Sequence, residues 1–272
     1  MGKIKALLLS LGLFLFTSGL FSAYPPDLQK IIQSGTLRIG MIGSTNEFPF
    51  FFLNAEKQLV GLDIDLANEL AAILGVKVVL VRTAKTYQGV VDQVERGEVD
   101  LGISILSGSM DRAKKNKFSH PYVTLYAGLL VNRRKFAELE KTGNFFKRLN
   151  SPSATIGYLA DSSYEESAKS IFPNATLKGF PYQKYLIEEV KKGTLTAGLV
   201  DEKEIKTFPL LNPNDILYVE TVELRDYQDP ICIFVAAEKT HLLFFVNAFL
   251  ERREKLSFNE IIKKYYTPEA HE

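Results

Sequence analysis

Cysteine is nearly absent. Cys232 stands alone in the chain, which excludes an intrachain disulfide framework and a multi-cysteine metal site. The three histidines, His120, His241 and His271, lie far apart and show no metal-ligand spacing. Neither sign of charge dominates, since Lys and Arg number 33 against 32 Asp and Glu. With no basic excess to neutralise phosphates, nucleic acid is not the expected partner. No G-x-S-x-G elbow, H-E-x-x-H pair or P-loop occurs. His120, within Phe118-Ser119-His120-Pro121-Tyr122, has no assigned nucleophile or orienting acid beside it. Low-complexity tracts are missing too. What is present is apolar mass: 46% of 272 residues are hydrophobic, enough for a sizeable core in one large domain or two compact lobes.

Only the N-terminus carries a long apolar run. Lys3 and Lys5 precede Ala6–Phe16, and small residues follow at Thr17, Ser18, Gly19, Ser22 and Ala23. That is the build of a secretory signal, expected over 1–23. Cleavage after Ala23 puts Phe21 where a small residue is preferred, and cleavage after Gly19 puts Thr17 there; both sites stay open. An uncleaved anchor is the alternative, because Ala6 to Ala23 is marginally long enough to span a bilayer. No cysteine lies in this segment, so a lipid anchor there is not expected. Loss of Lys3 and Lys5 turns the net charge slightly negative, and the remainder reads as a soluble exported protein.

Strand and helix patterns alternate along the rest. After Pro25-Pro26, Leu28 to Gln33 is a short helix stopped by Gly35, and Thr36 to Ile42 is strand-like. Asp63 to Leu74 is an amphipathic helix with Leu66, Ala67, Leu70, Ala71, Ile73 and Leu74 at helical spacing, and Gly75 ends it. Asp63 and Asp65 suit its positive N-terminal end. Val76–Val81 is a buried strand, Tyr87–Arg96 a helix and Val99–Leu106 a strand. This alternation predicts an α/β fold with mostly parallel strands. Further on, Leu129–Val131 and Thr155–Tyr158 are strands, Ser163–Phe172 and Gln183–Lys192 helices, and Arg133–Pro152 a charged connector. Ile231–Ala236 is a strand, and His241–Arg253 and Ser257–Tyr266 close the chain as helices. One echo stands out: Arg96-Gly97-Glu98-Val99-Asp100-Leu101-Gly102-Ile103 against Lys192-Gly193-Thr194-Leu195-Thr196-Ala197-Gly198-Leu199. Each is a helix closed by a basic residue and glycine, then a strand with a second glycine. Ligands in open α/β sheets sit beyond the carboxyl ends of strands. The echo therefore suggests two lobes, each offering polar groups from a strand end.

Those strand ends hold the candidate residues. Ser104, Ser107, Ser109 and Arg112 follow the first. Arginine can grip a carboxylate with two parallel hydrogen bonds, and Ser107 offers a hydroxyl and an N–H to the same anion. The alternative is a serine-rich turn capping a helix near Met110. Asp161-Ser162-Ser163 precedes the next helix, whose free N–H groups can bind an anion or be capped by Asp161 or Ser162. Asp201, past Ala197–Val200, can receive an ammonium group or cap the helix from Glu202. Tyr87 can present a ring to an organic ligand or pack half-buried. Phe48-Pro49-Phe50-Phe51-Phe52 reads as core, with Glu47 as a rim charge or a ligand contact.

These pieces, in order, resemble the periplasmic solute-binding proteins of amino-acid ABC transporters, family 3. The matching segments are Gly35-Thr36-Leu37-Arg38-Ile39-Gly40, Pro49-Phe50, Val60-Gly61-Leu62-Asp63-Ile64-Asp65-Leu66-Ala67, Leu74-Gly75-Val76, Gly97-Glu98-Val99-Asp100, Ser107-Gly108-Ser109-Met110-Asp111-Arg112 and Phe118-Ser119-His120-Pro121-Tyr122. The resemblance covers about residues 27 to 266. It implies a two-lobed type II periplasmic-binding fold with a ligand cleft between lobes: 24–125 as the first part of lobe 1, 126–228 as lobe 2, 229–272 as the return to lobe 1 with the closing helices. Hinges are implied near Tyr122–Tyr126 and Asp226–Pro230. By position, Arg112 matches the arginine holding the ligand α-carboxylate, and Ser107 the hydroxyl touching both α-groups. Ile105 supplies a carbonyl to the ammonium, Ser163 a backbone donor to the carboxylate, Asp201 the acid for the ammonium, and Tyr87 a stacking ring.

The departures bear on specificity. Glu47 replaces a second stacking ring, Ser109 the more usual threonine, and Asp161 a common glycine, while Ile231-Cys232-Ile233 lacks a usual glycine. Glu47 raises the expectation that a cationic side chain, as in arginine, lysine or ornithine, pairs with it. The implied protein is a periplasmic monomer that is not an enzyme, needs no cofactor, takes a free amino acid and meets an ABC permease. The alternatives are an exported cyclohexadienyl-dehydratase-like enzyme on the same scaffold and a ligand-sensing module.

Overall fold

Two five-stranded mixed sheets, one per lobe, organise the chain in the computed structural model, which describes residues 24–266. The candidate export segment lies outside the described residues. Sheet one runs Lys77–Ala84, Thr36–Ile42, Leu101–Gly102, Phe234–Ala236, Asn116–Phe118 in spatial order. Sheet two runs Thr176–Phe180, Thr155–Leu159, Ala197–Asp201, Val123–Asn132, Val219–Ile231. In each, the first three strands are parallel, the fourth runs against them, and the fifth pairs antiparallel with the fourth and so runs with the first three. Four of the five strands in each sheet run the same way, in keeping with the expectation of mostly parallel strands. The reversed strand is Phe234–Ala236 in sheet one and Val123–Asn132 in sheet two; each is reached with no helical crossover, at a crossing between the lobes, and enters its sheet from the opposite end.

The echo has a packing cause. Gly97 and Gly193 both end helices in the left-handed region, at φ 67° and 76°. Gly102 and Gly198 then lie in the third strand of their sheets, under the helix just before. A Cβ on Gly102 would crowd Val94 and Leu106, and one on Gly198 would overlap Leu186. Both glycines let a helix settle directly onto the strand. Gly198→Val is therefore expected to destabilise the protein by about 1–3 kcal/mol through overpacking. Urea unfolding checks this, and an unchanged midpoint would refute it.

Apolar burial divides by lobe. Lobe 1 packs Leu37, Ile39, Leu66 and Leu70 with Leu242, Val246 and Ile261 of the closing helices Thr240–Arg252 and Phe258–Tyr265. Phe50 stacks on Phe258 with centroids 5.8 Å apart. Ile73, placed by its spacing on the apolar face of Leu62–Leu74, is instead 62% exposed. Lobe 2 packs Leu129, Leu149, Ile156 and Leu199, with a second group around Leu186, Val190 and Phe208. The charged connector contains two short helices, Arg133–Glu138 and Phe145–Leu149, capped by the side chains of Asn132 and Asn144.

Between the lobes, Val123–Asn132 and Val219–Ile231 pair as an antiparallel ribbon, from Val123 opposite Ile231 to Asn132 opposite Val219, with an irregularity between Leu224 and Gln228. Its lobe 1 end is tied to the chain around Ser107: Gly108 N–H donates to the Pro230 carbonyl at 2.8 Å and Cys232 N–H to the Leu106 carbonyl at 2.9 Å. The strand expected over Val99–Leu106 shrinks to Leu101–Gly102, because Ile105 turns into the left-handed region at φ 49° and carries the chain out of the sheet toward the cleft.

Candidate functional site

The turn at Ile105 is held from beneath. Its N–H donates to Asp63 Oδ2 at 3.0 Å, and the Tyr122 hydroxyl donates to Asp63 Oδ1 at 2.8 Å. Asp63 is fully buried, and burial pushes its carboxyl up to about 7 against the lowering effect of those two bonds. Assigning Asp63 to the helix dipole missed this brace. No local pattern marks it: the acid sits in Leu62-Asp63-Ile64, and only the fold shows that all three are buried.

Past the turn, Ser109 caps the helix Met110–Ala113 by accepting from Arg112 N–H at 3.3 Å, as the capping alternative held. Arg112 is 6% exposed. Its guanidinium donates to the Ser107 carbonyl at 3.0 Å and to Gln88 Oε1 at 3.4 Å, over the Phe234 ring. Burial draws its pKa down to about 10, so it remains a cation at neutral pH.

Lobe 2 meets this edge directly. Ser163 Oγ donates to Ser107 Oγ at 2.8 Å, and Ser107 Oγ donates to Asp229 Oδ2 at 3.0 Å. The Tyr164 hydroxyl donates to the same Asp229 oxygen at 3.2 Å. Burial raises the Asp229 carboxyl, while Ser107, Tyr164 and Arg112 oppose the rise. Ser162 caps the helix Ser163–Ile171 by accepting from Tyr164 N–H. Asp161 takes φ 52°, which explains why glycine suits this place, and its carbonyl accepts from Gln88 N–H across the cleft at 3.3 Å. A groove of about 380 Å³ opens beside Ser107, Ser163, Tyr164 and Asp229.

Asp201 caps the helix Glu202–Leu211, accepting from Glu204 N–H at 2.9 Å. Burial, with Glu204 and Asp229 nearby, raises its carboxyl, and Lys203 opposes this. Tyr87, partly buried, lies within electrostatic reach of Glu47, Lys203 and Asp201, and also of Arg112. Asp229 likewise acts on both Arg112 and Asp201. The cation of lobe 1 and the carboxylate of lobe 2 thus share Asp229 as a common electrostatic neighbour.

Glu47 departs from expectation. Its carboxylate already has a cationic partner, Lys203 of lobe 2, with Nζ at 2.6 Å from Glu47 Oε2 and 3.0 Å from Glu204 Oε1. The paired side chains are only 15% and 8% exposed. Burial works against the Lys203 charge, but Glu47, Glu204 and Asp201 outweigh it and hold the ammonium well above its ordinary range. Lys203, Asp229, Tyr164 and Gln88 escaped sequence reasoning. Glu47 and Lys203 stand 156 positions apart, with no local pattern linking them.

Among the described residues, no group of three or more His, Cys, Asp or Glu side chains is placed to hold a metal ion, and no helix is long and apolar enough to cross a membrane. In chemical terms the groove between the lobes offers hydroxyls and the Asp229 carboxylate, with the Arg112 guanidinium held behind Ser107 by that residue's carbonyl.

Comparison with known proteins follows the same lines. The membrane-bound lytic murein transglycosylase F of Photobacterium profundum is 26% identical over 251 residues, covering 88% of this chain; the chain spans 45% of that relative's length. Among solved structures, the ancestral amino acid-binding protein AncCDT-1, a precursor of cyclohexadienyl dehydratase, superposes with a TM-score of 0.68 at 29% identity, covering 88% of this chain and 99% of that one. An ancestral arginine-binding protein bound to arginine gives 0.68 at 26%, covering 86% and 99%. Residues 37–268 match a single family over most of the sequence, and the chain belongs to it: the bacterial extracellular solute-binding proteins, family 3.

Proposed function

We propose that the protein captures one free amino acid between its lobes and presents the closed form to an ABC permease in the inner membrane. One observation carries this reading: Ser107 of lobe 1 and Ser163 of lobe 2 meet directly at 2.8 Å, with the buried Arg112 cation on the first side and Asp201 on the second, both within electrostatic reach of Asp229. A zwitterion satisfies both only when the lobes approach, so its affinity for the closed form exceeds that for the open form. That difference is what lets a ligand drive closure. In this reading Arg112, with Ser107, Ser109, Ser162 and Ser163 around it, holds the α-carboxylate. Asp201 and the Ile105 carbonyl receive the ammonium, and Tyr87 packs on the aliphatic part. The amino-acid-binding ancestral structures support it. Export to the periplasm belongs to the same proposal.

A thermal-shift panel of the common amino acids tests it. A ligand at about 100 times its Kd adds about 2.7 kcal/mol, and at this chain length that raises Tm by roughly 5 °C or more. We expect one amino acid, or a small related group, to do so, with calorimetry confirming one site. A flat panel would refute the reading.

The dehydratase reading is favoured by the name of one structural neighbour, a precursor of cyclohexadienyl dehydratase. Its substrate, prephenate, carries two carboxylates. Arg112 can meet one, whereas Lys203 is already held by Glu47 and Glu204. Charge complementarity therefore favours the zwitterion. With the appearance of phenylpyruvate as the readout, we expect purified protein to show no turnover of prephenate; turnover would replace the binding reading with the enzymatic one.

A further inference from the structure

The helix Glu202–Leu211 reaches across the cleft with two lysines one turn apart. Lys203 bonds Glu47 at 2.6 Å, and Lys206 donates to Asn259 Oδ1 at 2.8 Å while lying over the Phe258 ring at 5.4 Å. Glu47, Asn259 and Phe258 all belong to lobe 1. The spacing puts both lysines on one helix face, so the two contacts form or break together as the lobes move. Tyr87 and Asp201 lie within electrostatic reach of Lys203, and Tyr87 also within reach of Glu47.

We propose that Lys203 is a specificity-determining residue: as the tethered counter-ion of Glu47, it denies that carboxylate to amino acids with cationic side chains and pins the lobes together in the bound form. The inference rests on the amino-acid-binding reading above. A ligand ammonium or guanidinium has to evict Lys203 to reach Glu47. The evicted amine is tethered to a helix of the same protein, so it competes at high effective concentration. Eviction also breaks a buried pair, leaving a desolvated ammonium between Glu204 and Asp201 without its main partner. An uncharged side chain makes no such demand, because the Glu47–Lys203 pair stays intact. Glu47 read alone suggests a site for basic ligands; Glu47 read with Lys203 is a neutralised one.

Calorimetry on the full chain decides it, using the best ligand without a cationic side chain from the panel, together with L-arginine and L-lysine. In the wild type we expect the first to bind about tenfold or more tighter than either basic amino acid. Lys203→Met, which keeps the aliphatic stem and removes the charge, is expected to tighten arginine or lysine binding about tenfold or more. Adding Glu47→Gln to Lys203→Met should cancel that gain. Lys203→Gln serves as the second variant should Lys203→Met not fold. A wild type that prefers arginine or lysine, or a Lys203 variant that gains nothing for either, overturns the proposal while leaving amino-acid binding in place. A protein that binds no amino acid in any form removes the underlying reading, and the proposal falls with it.

Discussion

Arg112→Ala is expected to weaken binding of the cognate amino acid by roughly 30-fold to several thousand-fold, about 2–5 kcal/mol. The size follows from where the guanidinium sits. It is 6% exposed, lies over Phe234 and is oriented by the Ser107 carbonyl and Gln88. A carboxylate meeting it there gives up water for a fixed, doubly pronged partner in a poorly solvated crevice, where charge pairing is strong. Arg112→Lys keeps the charge and loses the fork, so it should recover only part of the affinity. Asp201→Asn is the matching test on the other lobe. Asparagine still accepts from Glu204 N–H and preserves the helix cap, so the change isolates the carboxylate charge. Its loss of affinity should be of the same order as for Arg112→Ala. Calorimetry at fixed ionic strength reads both, with melting curves confirming that each variant is folded. Affinities within about threefold of wild type in both would sink the assignment.

What the sequence reveals and what it hides divide along the range of the interactions. Helix stops at Gly75 and Gly193, the capping options at Ser109, Ser162 and Asp201, and the glycine-under-helix echo are set within a few residues, and each is readable as a local pattern. The two-lobed α/β architecture follows from repeating those patterns. The brace under Ile105 was not readable. Asp63 looked like an ordinary helix-start acid, and only folding brings it to an amide 42 positions away. The Glu47–Lys203 pair was hidden for the same reason, since it exists only where two lobes meet. Asp229 lay inside the expected hinge, but its hydrogen bonds to Ser107 and Tyr164 depend on three separated segments converging. Residues that act through neighbours in sequence announce themselves; residues that act across the cleft do not.

Asp63 yields the second large effect, a stability that falls as pH rises. In the unfolded chain its carboxyl titrates near the ordinary 3.8, and in the folded protein burial lifts it to about 7. Between those values the folded state holds a proton that the unfolded state has released. Raising the pH through this window therefore costs stability, and above about 7 the loss is complete. A shift of about three pH units corresponds to about 4 kcal/mol. Asp63→Asn mimics the protonated acid: its Oδ1 can accept from Ile105 N–H while its amide donates to the Tyr122 oxygen, so both bonds survive without the titration. Urea unfolding across roughly pH 4 to 8 should thus show the wild type losing up to about 4 kcal/mol relative to Asp63→Asn as pH rises. Parallel profiles for the two proteins would show that Asp63 is ionised without penalty in the fold. The consequence reaches the site, because the ionised form places a second negative charge within electrostatic reach of Glu47, under the turn that aims Ile105 at the crevice. Removing that charge by protonation or by Asp63→Asn should leave Ile105 held and the cleft edge intact. Ligand affinity in the Asp63→Asn protein is therefore expected to stay within about threefold of wild type at neutral pH.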